Sequence, residues 1–242
     1  MALQTTGPIS HSDVQGEFGG TNPISLSEYY SAATGVPASG NPISLSDFYG
    51  TANTVTFTYE LIGGGGGGGG GLDGGTGGSR GGSGGSSSIS GSGFTTVTVS
   101  GGQGGRSGIF RPGTNESARD GHASYYGSGG ARGAHIDGAA GAGSDAPSSS
   151  YGAGGGGGGG DYSNNKFDET GYAGEGGNES TRVTGTITVV SGTTITVTIG
   201  AKGAGKYHGT YSGGDGAAGF AKITANGTAT NFTSSGTITL TS

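Results

Sequence analysis

The stretch GAKGAGKY at residues 200–207 carries the glycine spacing of a phosphate-cradling loop, with Lys206 in the place of the lysine that neutralises a phosphate. Tyr207 stands where such a loop needs a hydroxyl for magnesium, and the HGTYSGG that follows cannot continue as the required helix. Nucleotide binding is therefore disfavoured. His11, His122, His135 and His208 fall singly in separate segments, with no i, i+4 pair and no carboxylate at ligand spacing, so packing or solvation is the expected role of each. Asp120, Asp137, Asp145, Asp161 and Asp168 lie in remote segments that folding can bring together, but nothing in their spacing selects a pair for acid–base work. The serines sit in caps or glycine tracts, with no strand–Ser–helix elbow to expose a nucleophile. With no cysteine there is neither a thiolate nucleophile nor a disulfide. The sequons at Asn115, Asn178, Asn226 and Asn231 matter only in a secreted eukaryotic protein. These residues predict a protein that is not an enzyme and needs no cofactor or metal.

The elements that must position any functional residue are unusual. Glycine fills 64 of 242 positions and apolar residues only 29%, too few for a conventional core across this length. A disordered chain would carry more charge and more proline than the 11% charged residues, net charge of -6 and six prolines found here. Collagen requires glycine at every third position, which the sequence lacks. Lysine and arginine are scattered without a basic face, which argues against nucleic acid as a partner. MALQTTGPISHSD has no basic stretch followed by an apolar one, and no apolar run approaches the ~18 residues of a membrane span, so a soluble chain without the usual export signal or membrane insertion is expected.

Two domains are predicted. Residues 1–53 hold three near-repeats, GPISHSDVQGEF (7–18), NPISLSEYY (22–30) and NPISLSDFY (41–49). In each, a serine and an acid three residues later make a capping-box pattern: Ser10 with Asp13, Ser25 with Glu28, and Ser44 with Asp47. Each copy should start a short helix, most strongly the glutamate copy. Single turns cannot stand alone, so Ile9, Ile24, Leu26, Tyr29, Tyr30, Ile43, Leu45, Phe48 and Tyr49 are expected to pack together and to dock on a partner.

Residues 54–242 alternate strands with glycine tracts. Threonine, valine and isoleucine alternate in 54–62, 94–100, 181–190, 193–199, 219–225 and 236–241, and Ser191–Gly192 offers a tight hairpin. Between them lie tracts at 63–85, 101–108, 127–143, 152–160, 174–177 and 200–219, the first opening with nine consecutive glycines at 63–71. A lone tract would be a flexible linker. Several tracts side by side can instead form left-handed helices with three residues per turn, whose outward-pointing N–H and C=O groups satisfy one another. The expected fold is mainly β with bundled polyglycine, or polyproline-II, helices and a small N-terminal segment of short helices.

Large side chains outside the strands cluster between tracts, in 109–126, 148–153, 162–172 and 206–211. Tyrosine amid Ser, Gly and Asn suits adaptable recognition, so Phe110, Arg111, Tyr125, Tyr126, Tyr151, Tyr162, Phe167, Tyr172, Tyr207 and Tyr211 are the candidate binding residues. The bland alternative is that they cover the ends of a bundle.

PISLSEYY and PISLSDFY behind a MALQTTG start resemble the N-terminal segment of structural proteins of tailed bacteriophages. VTFTYELIGGGGGGGGG, TVTVSGGQGG and TITVTIGAKGAG are similar to the glycine-rich domains of phage tail fibres and of T-even-like tip adhesins. The resemblance implies a virion protein in multiple copies, held to other virion proteins by residues 1–53 and binding a bacterial surface protein or polysaccharide through loops between tracts. The alternative is an architectural capsid decoration or head fibre. If the tracts are ordered, amides within 63–71 and 152–160 should be protected in hydrogen exchange; rates matching an unstructured peptide would refute order there.

Overall fold

A computed structural model of the chain describes residues 2–71, 79–107, 121–131, 142–155, 174–207 and 212–242. Phe110, Arg111, Tyr162, Phe167, Tyr172 and Tyr211, with His135, His208, Asp120, Asp137, Asp161, Asp168 and Asn115, lie outside the described residues. The described chain is mainly β, in two antiparallel four-stranded sheets.

Each near-repeat begins a turn. Helix α1 spans His11–Phe18, and single 3₁₀ turns span Leu26–Tyr29 and Leu45–Phe48. The aspartate copies make the return contact of the capping box, the Ser10 and Ser44 N–H groups each donating to the aspartate at 2.8 Å. The glutamate copy, expected to be the strongest, does not: the longer Glu28 side chain accepts from the Thr21 N–H at 3.2 Å instead. Val14, Tyr29, Val36 and Phe48 form a small core, over which Ile9, Ile24, Leu26, Ile43 and Leu45 pack. Phe18, Tyr29 and Phe48 meet edge to face or tilted, with ring centroids 6.0–6.4 Å apart.

The first sheet runs β4 (Arg182–Val190), β1 (Thr54–Ile62), β6 (Phe220–Ala225), β7 (Thr228–Phe232); the second runs β3 (Val97–Val99), β2 (Ser87–Ser90), β5 (Thr193–Thr198), β8 (Gly236–Leu240). Alternation puts Val55, Phe57, Leu61, Ile89, Ile195, Val197 and Ile223 into one core and threonines on the outer faces. Strands β2 and β7 escape the sequence pattern, because SSIS holds one apolar residue and TATNF is a polar edge; β3 is shorter than 94–100. Ser191–Gly192 does not close the expected hairpin: it carries the chain from β4 in the first sheet to β5 in the second, whereas the β6–β7 hairpin turns through Asn226 and Gly227, both at positive φ, the requirement that selects Asn-Gly in tight hairpins.

Strands β1, β3 and β5 each run out of the sheets into a glycine tract, while β2, β4 and β6 are each entered from one. Tract 63–71 shows how they meet. Gly64, Gly67 and Gly70 donate their N–H groups to Gly85, Gly82 and Ser79; Gly65 and Gly68 donate to Ala217 and Gly214; Gly66 and Gly69 donate to Asn178 and Glu175, all at 2.8–3.0 Å. Partners thus repeat every three residues, and those three neighbours run antiparallel. Its carbonyls accept from Gly102 and Gly105, from Gly203 and Lys206, and from Gly155, in tracts that run alongside it. Six tracts wall in 63–71, and all nine of its glycines are buried.

Each outer tract needs glycine only where it is covered. Exposed side chains recur at every third position, as in Arg80, Ser83 and Ser86, or Gln103 and Arg106. Tract 151–155 is also enclosed, bonded to 66, 122, 130, 177, 180, 217 and 218 through its backbone. The stretches read as single tracts from sequence at 63–85, 127–143 and 200–219 are each two, running in opposite directions on either side of residues outside the description. Residues 121–124, read as part of a loop, form one more tract.

A Cβ on Gly67 would lie 2.1 Å from the Ala204 carbonyl oxygen. Replacing Gly67 by alanine should lower the melting temperature by about 6–12 °C, whereas Ser83→Ala, at an exposed third position, should shift it by under about 2 °C. Equal shifts in thermal scans would show that the central tract tolerates side chains.

Candidate functional site

Residues 121–127 and 148–152 lie over the tract end of the first sheet. The incoming tract 121–124 turns back at a Ser124–Gly127 bridge, with Tyr125 and Tyr126 at its tip. Tyr151 stacks on Phe220 at 4.8 Å, and Tyr126 meets both rings edge-on at 5.7 and 5.2 Å. Two tyrosines thereby cover the last apolar row of the sheet, where Ile62 and Phe220 would otherwise face water.

Charged groups fix the outer edge of this cover. Arg182 Nε donates to Glu60 Oε1 at 2.6 Å, and the Tyr126 hydroxyl donates to the same oxygen at 3.1 Å. The Arg182 guanidinium lies 4.1 Å above the Tyr125 ring. Its bond to Glu60 holds Arg182 more firmly protonated than usual. Burial, reinforced by the Glu60 carboxylate, pushes the Tyr126 phenol up to about 12.

Beyond the tyrosine turn, Thr58, Thr184 and Thr186 stand exposed on the first sheet's outer face. A shallow depression of about 430 Å³ is lined by Thr58, Tyr59, Glu60, Arg182, Thr184, Gly185, Thr186, Lys222 and Thr224. None of its polar side chains was a candidate from sequence. Alternating threonines in β1 and β4 signal an outer face, but only the register sets Thr58 beside Thr186 and Thr224, and Glu60 beside Thr184 and Lys222.

The candidate binding residues fall in two places. Tyr125, Tyr126 and Tyr151 come together beside the sheet, and Tyr125 is 71% exposed while the other two are largely covering residues. Tyr207 stands at the far end of tract 200–207, 79% exposed. Of the anchoring candidates, Tyr29 and Phe48 are buried in the N-terminal core, the isoleucines and leucines pack on it, Tyr30 donates its hydroxyl to Asn41, and Tyr49 remains 39% exposed.

The lysine of GAKGAGKY has no phosphate cradle around it. The N–H groups of Gly203 and Lys206 donate to Gly65 and Gly68, and that of Gly205 to Asp215 Oδ1. Lys202 closes on Asp215 at 2.6 Å. His122 pairs with Glu179 at 2.8 Å on the surface. No group of three or more His, Cys, Asp or Glu able to hold a metal ion occurs among the described residues, and no helix among them is long and apolar enough to cross a membrane.

The chain matches no protein-family model, no curated protein and no solved structure.

The phenol of Tyr126 favours its neutral form in the folded chain, so its contribution to stability is fully present below about pH 10 and is lost as pH rises towards about 12. Replacing Glu60 by glutamine should bring the Tyr126 transition in an ultraviolet pH titration, assigned by Tyr126→Phe, down towards that of free tyrosine. An unmoved transition would remove the carboxylate as a cause.

Proposed function

We propose that the glycine tracts form a bundle of polyglycine-II helices and that the protein is a phage virion component, a tail-fibre or tail-tip adhesin binding the bacterial surface. The three-residue repeat of hydrogen-bond partners supports the helical reading, since a threefold helix turns the same face to a given neighbour at every third residue.

One observation carries the functional reading: the N-terminal module and the glycine tracts lie at opposite ends of the sheets. The N-terminal module meets the sheets at the start of β1, where Asn53 donates to Glu17 Oε1 at 3.0 Å and to Ser242 Oγ at 2.6 Å. The tracts leave from the other end. Every pair of described residues that flanks an interval, 71 and 79, 107 and 121, 131 and 142, 155 and 174, 207 and 212, joins an outgoing tract to an incoming one. The tracts therefore point away from the sheets, and Tyr207 stands exposed at the far end of tract 200–207. In this reading residues 1–53 attach to another virion protein, and several weak contacts at the far end, repeated over multiple copies, add avidity. No catalytic step is assigned.

Cryo-electron microscopy of intact particles tests it. Density at a tail or fibre tip, with the N-terminal module inward and residue 207 outward, is expected. A regular array over the capsid would replace the adhesin with a decoration or head-fibre role, and absence from the particle would end the virion reading.

A further inference from the structure

We propose that the outer face of the first sheet binds an acidic saccharide at the foot of the tyrosine turn. This site stands on its own geometry and does not depend on a virion role.

Its floor is two cross-strand rows: Thr186, Thr58 and Thr224, then Thr184, Glu60 and Lys222. Neighbouring strands lie about 4.8 Å apart, so a row of three hydroxyls spans about 10 Å, a distance that a pyranose ring with its exocyclic groups can bridge. Hydroxyl side chains act as both donors and acceptors, which suits a polyol. The turn carrying Tyr125 and Tyr126 borders this floor at Glu60 and Arg182, through the Tyr126 hydroxyl on Glu60 and the Tyr125 ring under Arg182. Tyr125 presents an exposed aromatic surface, and the Arg182 guanidinium on its ring holds it in place. The depression, about 430 Å³, lies within the size range of small-ligand sites.

Charge selects among saccharides. The Glu60 carboxylate is already engaged by Arg182 and by the Tyr126 hydroxyl. Lys222 has neither an ion pair nor a side-chain hydrogen bond among the described residues, although it borders the depression. The surplus charge is therefore one ammonium group over a field of hydroxyls, which fits a uronic acid better than a neutral sugar.

The second sheet supplies an internal comparison. Its outer face is also threonine-rich, with Thr194 and Thr239 hydroxyls 3.1 Å apart, yet strands β2, β3, β5 and β8 carry no charged residue. Threonine alone reflects strand propensity on a solvated face. Among the described residues, the bordering tyrosine turn and the unpaired Lys222 distinguish the first sheet from the second.

The test uses the full chain with labelled threonine methyl groups, titrated with trigalacturonate and with its neutral counterpart galactotriose. Trigalacturonate should move the methyls of Thr58, Thr184, Thr186 and Thr224 with a dissociation constant at or below about 1 mM, leave Thr194 and Thr239 in place, and bind at least about tenfold more tightly than galactotriose. Lys222→Gln should remove that preference, and Tyr125→Ala should weaken both sugars while the remaining methyl spectrum stays native. Shifts absent from the four threonines, shifts shared equally by both sheets, equal affinity for the two sugars, or unchanged affinity in Lys222→Gln would each overturn the proposal.

Discussion

The molecule depends on hydrogen bonds from one glycine tract to the next. A buried peptide N–H without a partner costs about 1–3 kcal/mol, so a walled-in stretch such as 63–71 is possible only if neighbouring backbones supply its partners. They can do so only where no Cβ intervenes. Added methyl groups at Gly64, Gly65, Gly66, Gly67 and Gly69 would all meet a carbonyl oxygen of another tract at 1.9–2.1 Å. Glycine, usually the residue of freedom, is here the residue of closest approach. The entropy lost in ordering it is offset by contacts that no other side chain permits.

That lattice would have no register without the sheets. Tracts leaving β1, β3 and β5 run one way and those entering β2, β4 and β6 run the other, so strand order decides which tracts meet and in which sense. Two buried serines make the transition. Ser87 Oγ donates to the Ile62 carbonyl at 2.7 Å and accepts from the Gly200 N–H at 2.9 Å, while Ser180 Oγ donates to the Gly63 carbonyl at 2.7 Å. These hydroxyls satisfy backbone groups where strand pairing ends and tract pairing begins. The hydrophobic core between the sheets stabilises the base on which the polar lattice stands. The outer tracts end the lattice with side chains: Arg80, Ser83 and Ser86 occupy the third face, where one more backbone would otherwise fit.

The tyrosine turn occupies the seam between these two regimes. Ile62 and Phe220 end strands whose next residues are glycines, so their outward side chains need cover that glycine cannot give. Tyr126 and Tyr151 supply it, and the polar rim of Glu60 and Arg182 receives the Tyr126 hydroxyl. One turn therefore both seals the core and borders the threonine floor. The candidate tyrosines were recognisable by type, but their sorting into covering and exposed groups follows from which of them pack on Phe220: Tyr126 and Tyr151 do, while Tyr125 and Tyr207 stand exposed.

The sequence alone determined the period-two strands, the capped turns of the near-repeats and the presence of ordered strand-to-tract transitions, because each depends on neighbours within a few residues. Tertiary structure decided the rest. Strand β2 became visible only through its pairing with β3 and β5, the reversals inside 63–85 and 200–219 through hydrogen-bond direction, and the Thr58–Glu60–Lys222 floor through register. The physical reason is that a glycine tract carries no side-chain pattern to state its direction or its partners. For the tracts joined to β1 through β6 those are set by the strands, and strand pairing is a long-range choice.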